Sequence, residues 1–152
     1  MTSCHRSREL EAAYVGHDFN VKSCQLLRRP DMLFVFQNFA LLIECDEHGH
    51  ADRTVHDENN HILVIKQWVE EQYGLSRLYQ VRVNPDGKAP MFKKQKASNG
   101  EQMFQITGDG ERKMLEVFGS LKAVIDCGLD ETCSDELFAG SVEGIATERL
   151  FF

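Results

Sequence analysis

The 152-residue chain is long enough for one domain with a proper core, and its 42% apolar and 27% charged residues are typical of globular proteins. No apolar run approaches the ~20 residues of a membrane span, and the N-terminus lacks the apolar region of a signal peptide. The net charge of −7 excludes the strongly basic character of a tight nucleic-acid binder, although transient binding through local basic patches stays compatible with it.

The five cysteines are odd in number and form no C-x-x-C pair, so we interpret them as reduced thiols of an intracellular protein, in cytoplasm or nucleus. The acidic charge is concentrated at the C-terminal end, where residues 126–152 hold seven acids against Arg149 alone, a net −6. We therefore predict a domain over residues 1–125 and an acidic C-terminal segment over residues 126–152 that the core fold does not need.

Hydrophobic periodicity predicts helices and strands in alternation along the chain. In chain order we expect a helix over 8–15, irregular chain over 17–29, strands over 31–36 and 39–45, a helix ending at Gly74, a strand over 78–84, a lysine-rich loop over 88–100, an edge strand over 102–107 and a helix over 111–128. This order predicts a small α/β or α+β domain and excludes a repeated βαβ array.

The most apolar stretch, residues 28–50, carries four acids, Asp31, Glu44, Asp46 and Glu47. If the two strands form a hairpin around Gln37-Asn38 with an even loop, Asp31 lies opposite Glu44, and the period of two puts Asp46 on the same face. Like charges in opposed positions are destabilising, and a divalent cation with oxygen ligands, such as Mg²⁺, would offset the repulsion. Alternatively, the acids lie solvated at a frayed sheet edge or pair with the arginines of "RRPD".

Three segments that follow one another along the chain, "RRPD", "IECDEHGH" and "VRVNPDG", together resemble the motifs of the PD-(D/E)xK nuclease superfamily. The nearest branch is similar to very-short-patch repair endonucleases and to small nuclease-like proteins of large DNA viruses, and the match covers about residues 28–87. The resemblance implies a restriction-endonuclease-like core, with a central mixed sheet flanked by helices, and phosphodiester hydrolysis assisted by Mg²⁺ or Mn²⁺. It implies nucleic acid as the partner, DNA more readily than RNA, and it admits a homodimer; we expect no membrane partner.

The resemblance also implies roles for single residues. Asp31 matches the first metal-binding acid and Glu44 the second, while Asp46 matches an aspartate of this branch at the position where many relatives carry lysine. His50 matches the histidine of the branch, a candidate general base for the attacking water; the alternative is a surface histidine. Because the usual lysine is missing, water activation falls to His50, to Asp46 through the metal, or to a lysine from elsewhere, for which Lys66 is the candidate.

A second departure is on the helix that follows, where the relatives' arginine is replaced by Asn60 or His61. Candidate nucleic-acid contacts are the basic residues near these segments: Arg28, Arg29, Arg82, Lys93, Lys94 and Lys96. The lysines are equally compatible with a solvated loop, and Arg82 with the polar side of a sheet.

Two functions are compatible with these patterns. The first is a metal-dependent endonuclease that hydrolyses phosphodiester bonds, with Asp31, Glu44 and Asp46 at the metal. The second is a nuclease-like domain that has lost catalysis and serves as a nucleic-acid-binding or scaffolding module. The intact acids favour the enzyme, whereas the missing lysine, the altered helix position and the acidic balance favour the second function.

Overall fold

The computed structural model describes residues 3–23, 26–46, 55–85, 92–130 and 134–152. The helices are α1 (Ser3–Ala13), α2 (Val55–Tyr73), α3 (Gly108–Asp130) and α4 (Ser134–Leu137). The strands are β1 (Tyr14–His17), β2 (Val21–Ser23), β3 (Leu26–Arg28), β4 (Met32–Val35), β5 (Ala40–Cys45), β6 (Leu78–Val83), β7 (Phe92–Lys96), β8 (Gln102–Ile106) and β9 (Ile145–Leu150). None of these helices has both the length and the apolar character that crossing a membrane requires.

Five strands form a central mixed sheet in the order β1-β4-β5-β6-β9. β4 pairs antiparallel with β1 and with β5, whereas β5, β6 and β9 run parallel to one another. Helix α2 packs on one face of this sheet, and α1 and α3 pack on the other. The prediction of an α+β domain with a central mixed sheet flanked by helices is therefore confirmed.

The two faces of the sheet bury separate hydrophobic clusters, because successive side chains of a strand point to opposite faces. Leu41 and Val81 pack with Val124 of α3 on one side. On the other side, Leu42 and Leu78 pack against the apolar stripe of α2, which consists of Ile62, Ile65 and Val69. The helical spacing of that stripe predicted α2, and Gly74, with φ of 71°, ends the helix as expected.

The predicted hairpin is present in the predicted register. Val35 lies opposite Ala40, and the pairing continues outward to Met32 opposite Ile43. The Phe36 amide donates to the Phe39 carbonyl at 2.9 Å and closes the turn. The next step outward brings Asp31 to the position across from Glu44, as the sequence predicts.

The acidic C-terminal segment contributes a strand to the central sheet, so the prediction that the core fold does not need residues 126–152 is wrong. β9 pairs with β6 along its whole length, and the Leu78 amide donates to the Gly144 carbonyl at 2.9 Å where the pairing begins. Phe138, also in this segment, is buried in the core. The predicted boundary after residue 125 falls inside α3. The described acids of the segment lie at exposed or partly exposed positions, whereas apolar residues between them pack inward, so the acidic composition did not mark a segment outside the core.

Two further stretches differ from expectation. Residues 92–96, predicted as a lysine-rich loop, form β7, which pairs antiparallel with β8 in a two-stranded ribbon outside the central sheet. The chain over residues 17–29, predicted to be irregular, contains the short β2–β3 pair. The first helix ends at Ala13, earlier than predicted, because Tyr14–His17 joins the sheet as the neighbour of β4.

Candidate active site

The carboxyl ends of the parallel strands meet at one edge of the central sheet, and charged side chains gather there. Glu44 of β5, Arg82 of β6 and Arg149 of β9 lie side by side in the strand register. Ligands of open α/β sheets bind beyond this edge, in the crevice outside the carboxyl ends of the strands. The position of the charged row therefore makes it the leading candidate for a functional site.

Asp31 and Glu44 come together across the hairpin. The backbone amide of Cys45 donates to Oδ2 of Asp31 at 2.7 Å, which holds the Asp31 carboxylate beside the end of β5. Glu44 is buried, with 6% of its surface exposed, whereas Asp31 is exposed at the opening of the site. One rigid hairpin thus presents two neighbouring carboxyl groups, an inner and an outer one.

Glu44 also contacts α2 through His61, whose Nε2 lies 2.8 Å from Glu44 Oε1. Burial raises the pKa of Glu44; the hydrogen bond to His61 and its charge act in the opposite direction, and neighbouring Asp31 raises the pKa further. The net direction is upward. A bound cation would lower the pKa of Glu44 again, because it stabilises the ionised carboxylate.

Asp46, Glu58 and Arg82 form a second, buried ionic group. Arg82 donates to both carboxylate oxygens of Glu58, at 2.9 and 3.3 Å, and its Nη2 lies 2.5 Å from Asp46 Oδ2. Burial alone would lower the pKa of Arg82, but the hydrogen bonds and charges of Glu58 and Asp46 outweigh it, and the pKa is raised. Arg82 is therefore directed toward the protein's own carboxylates, which argues against the predicted phosphate contact.

Negative charge exceeds positive charge across the whole site. Its four carboxylates are those of Asp31, Glu44, Asp46 and Glu58, and its permanent cations are Arg82 and Arg149. Among the residues that the structure describes, no three His, Cys, Asp or Glu side chains form a group that could hold a metal ion unaided. Mg²⁺ commonly uses one or two carboxylates and completes its shell with water and substrate phosphates. Asp31 and Glu44 fit a site of this kind, in which two carboxylates hold the ion and water and phosphate complete its shell.

A cleft of about 900 Å³ opens directly beside the carboxylates, over the part of the sheet formed by β6 and β9. Its floor contains Gln80 and Thr147, Arg149 lies at its rim, and its walls include Leu63 of α2 and Val142 of the segment before β9. Glu44, Asp46, Glu58, His61 and Arg82 line its end. The candidate metal ligand Glu44 thus faces a space large enough for part of a substrate.

Two residues were predicted to activate water directly, His50 and Lys66, and the structure does not bring Lys66 into this arrangement. His50 lies outside the described residues. Lys66 lies near the opposite end of the parallel strands, since its Cε is 3.4 Å from where a Cβ on Gly144 would be, just before β9. The interpretation of Lys66 as a replacement catalytic lysine is therefore wrong for this structure.

The remaining basic residues predicted to contact nucleic acid lie outside the cleft. Arg29 pairs with Asp18 at 2.8 Å, and Arg28 donates to the Leu27 carbonyl, so among the described contacts neither arginine neutralises the carboxylates of the site. Three exposed lysines, Lys93, Lys94 and Lys96, project from the β7–β8 ribbon. Their interpretation as phosphate contacts stays a prediction.

Sequence reasoning missed the polar floor of the cleft. Gln80 and Arg82 alternate with apolar residues on β6, whereas Thr147 and Arg149 on β9 have the polar Glu148 between them. Polar residues at every second position of a central strand indicate a face that is not covered by a helix. That signal was present in the β6 segment, but the three successive polar residues of β9 hid it there, and β9 itself was not recognised as a strand.

Comparisons with protein-family models, with curated proteins and with solved structures find no match to this chain. Its interpretation therefore depends on the geometry of the site and on the resemblance of its motifs.

Proposed function

We propose that the chain is a Mg²⁺- or Mn²⁺-dependent endonuclease that hydrolyses phosphodiester bonds, in DNA more readily than in RNA. The observation that carries the proposal is the Asp31–Glu44 pair, held by one hairpin at the carboxyl edge of the sheet, with Glu44 lining the end of a large cleft. Neighbouring carboxylates with a raised pKa at Glu44 are unfavourable without a counter-ion. A hard divalent cation is the counter-ion that best suits oxygen ligands.

Asp31 and Glu44 would hold the cation, and His61 fixes the Glu44 carboxylate from the opposite side. A bound divalent ion lowers the pKa of water and neutralises charge on a phosphate. Asp46, held by Arg82, supplies further negative charge on the same face. His50 keeps the role that the resemblance implies, as acceptor of the water proton while the phosphorus–oxygen bond breaks.

A cleavage assay tests the proposal. Purified protein is incubated with plasmid and branched DNA in Mg²⁺ or Mn²⁺, with EDTA as the metal-free control. We expect cleavage only with metal, and we expect Asp31→Asn to abolish it because the substitution removes charge while keeping size. Glu70→Gln, which neutralises an exposed acid on α2, is the matched control and should cut like wild type.

The assay also decides the proposal. Failure of wild type to cut any DNA or RNA with any divalent ion would remove the enzyme interpretation. If Asp31→Asn cuts as fast as wild type, the assigned site is wrong. His50→Ala should slow cleavage by roughly 10²–10⁴-fold, the usual contribution of a general base, while metal binding persists.

The second candidate is a nuclease-like module that binds nucleic acid without cutting it. Two observations favour it: Arg82 is held by Asp46 and Glu58, and Lys66 is remote from the carboxylates. Lys66 therefore does not take the place of the missing catalytic lysine. Binding of DNA without metal-dependent cleavage would support this function.

We also propose that the protein acts inside the cell, in cytoplasm or nucleus. In the described part of the chain, Cys45 and Cys127 take part in no disulfide, which suits a reducing compartment. The homodimer that the resemblance admits stays a prediction, and sedimentation of the purified chain measures it.

A further inference from the structure

We propose that the cleft beside the carboxylates binds the base of one unpaired nucleotide, so that the substrate is single-stranded, bulged or branched at the cutting site. This inference rests on the proposed nuclease function, and it adds the class of substrate. Its basis is the cleft itself, with a buried amide on the floor, apolar walls, and an arginine and an aromatic ring at the rim.

The size and shape of the cleft favour a single nucleotide. A volume of about 900 Å³ lies in the range of pockets that enclose small ligands. A paired duplex keeps its bases stacked inside and cannot place one in a concave site, whereas an unpaired or flipped nucleotide can. The floor residues Gln80 and Thr147 precede Arg82 and Arg149 by two positions on their strands, which is a distance of roughly 7 Å along the sheet. A base above this pair therefore lies close to the charged row that contains Glu44.

The floor offers hydrogen bonds that the protein itself leaves unused. Gln80 is only 7% exposed, and Thr147 donates to its Oε1 at 3.3 Å. The side-chain amide makes no other hydrogen bond to the described part of the chain, so either orientation of the amide leaves one polar atom for a ligand. A glutamine amide can pair with the edge of a base.

The walls and rim suit a flat aromatic ring. Leu63 and Val142 line the cleft with 44% and 73% of their surfaces exposed, so covering them with a base is favourable. At the rim, the Phe152 ring lies 5.9 Å from the Arg149 guanidinium and 5.4 Å from that of Arg82. Bases stack on aromatic rings and on guanidinium planes alike.

Charge separates the base from the phosphate. The acids that line the cleft are Glu44, Asp46, Glu58 and Glu143, against the arginines Arg82 and Arg149. A phosphate would be repelled from this surface unless a metal ion were bound at Asp31 and Glu44. A neutral base is not repelled, so the base occupies the cleft and its phosphate lies at the metal.

Fluorescence anisotropy in Mg²⁺ at low salt, with probes whose phosphodiester linkages are replaced by hydrolysis-resistant ones, tests this inference separately from cleavage. The probes are one labelled sequence as a single strand, as a paired duplex and as a duplex with a one-nucleotide bulge. We expect the single strand and the bulged duplex to bind about 10-fold tighter than the paired duplex. Gln80→Leu and Thr147→Val should each reduce this preference about 3- to 10-fold, since each removes hydrogen bonding at the floor.

Gln72→Leu, which changes an exposed glutamine on α2, is the matched control and should keep the preference. Thr147 is exposed on an edge strand, so its valine variant should fold even if Gln80→Leu does not. Equal binding of all three probes, or a preference that persists in both floor variants, overturns the inference about the cleft. The nuclease proposal is judged separately, because metal-dependent cleavage would still support it. A preference that the floor variants abolish supports the cleft even if no cleavage is found, and absence of any binding overturns it.

Discussion

Arg82 and Arg29 each form a short ion pair, with closest N···O distances to Glu58 and Asp18 of 2.9 and 2.8 Å, but in different surroundings. The Arg82 side chain is 6% exposed, and Arg29 and its partner are 57% and 67% exposed. Water screens the outer pair, so it contributes little to stability. The inner pair has lost its water and depends on its partners for compensation.

We therefore predict that Arg82→Met costs about 3–5 kcal/mol of unfolding free energy, because Asp46 and Glu58 are left buried or partly buried without their cation. Arg29→Met should cost about 0–1 kcal/mol. Urea unfolding of both variants in EDTA measures the difference. A cost for Arg82→Met as small as that of Arg29→Met would contradict the burial argument.

Tyr79 responds to alkaline pH. Burial, together with Glu148, which accepts the Tyr79 hydroxyl hydrogen bond at 3.1 Å, raises its pKa to about 12. The reference pKa is 10.0, so the native state keeps the proton where the unfolded state loses it. The contribution to stability is complete below the lower value and is lost as pH rises from there toward the upper one.

Wild type should accordingly lose stability more steeply than Tyr79→Phe between pH 10 and pH 12. Urea unfolding at several pH values in that window provides the measurement. Tyr73→Phe, which alters an exposed tyrosine at the end of α2, is the control and should follow wild type. Parallel pH curves for wild type and Tyr79→Phe would show that the ring does not hold its proton in the folded state.

At the scale of elements, α3 contacts the hairpin through a glycine. A Cβ placed on Gly128 would lie 2.5 Å from ring carbons of Phe36, a buried residue that also stacks on Phe34. The helix can approach the hairpin turn this closely only because that position has no side chain. Gly119, on the same helix, has nothing within 4 Å of its Cβ position outside the helix.

The two glycines should respond in opposite directions to alanine. Gly128→Ala should destabilise the protein by about 1–3 kcal/mol, because overpacking against Phe36 exceeds the gain in helix propensity. Gly119→Ala should stabilise it by up to ~1 kcal/mol, since only the propensity changes. Thermal or urea unfolding compares both with wild type. Stabilisation by Gly128→Ala would mean that α3 lies farther from the hairpin.

For the whole molecule, the excess negative charge at the sheet edge couples metal binding to folding. A ligand that binds only the native state stabilises it by about 2.7 kcal/mol at a hundredfold excess over its dissociation constant. We predict that millimolar Mn²⁺ raises the unfolding midpoint relative to EDTA. The shift should vanish in the Asp31→Asn/Glu44→Gln double variant and persist in Glu70→Gln. An equal shift in the double variant would place the ion elsewhere.

The sequence by itself determined the local features of this protein. The hairpin register followed from the even loop and the alternation of strand side chains, and α2 and α3 followed from their helical periodicity. Because the acids lie inside that hairpin, the juxtaposition of Asp31 and Glu44 was also predictable. These features depend on residues close together in the chain, where spacing alone defines geometry.

Only the tertiary structure decided which distant segments meet. β9 pairs with β6 although more than sixty residues separate them in the sequence. Parallel strands are not joined by a tight turn, so the sequence contains no turn signal from which this pairing could be predicted. The partners of Arg82, the contact of His61 with Glu44 and the cleft over Gln80 and Thr147 all depend on how α2 and β9 lie against the sheet. The sequence offers several residues of suitable chemistry as partners for each of these side chains, and only the long-range packing determines which of them come into contact.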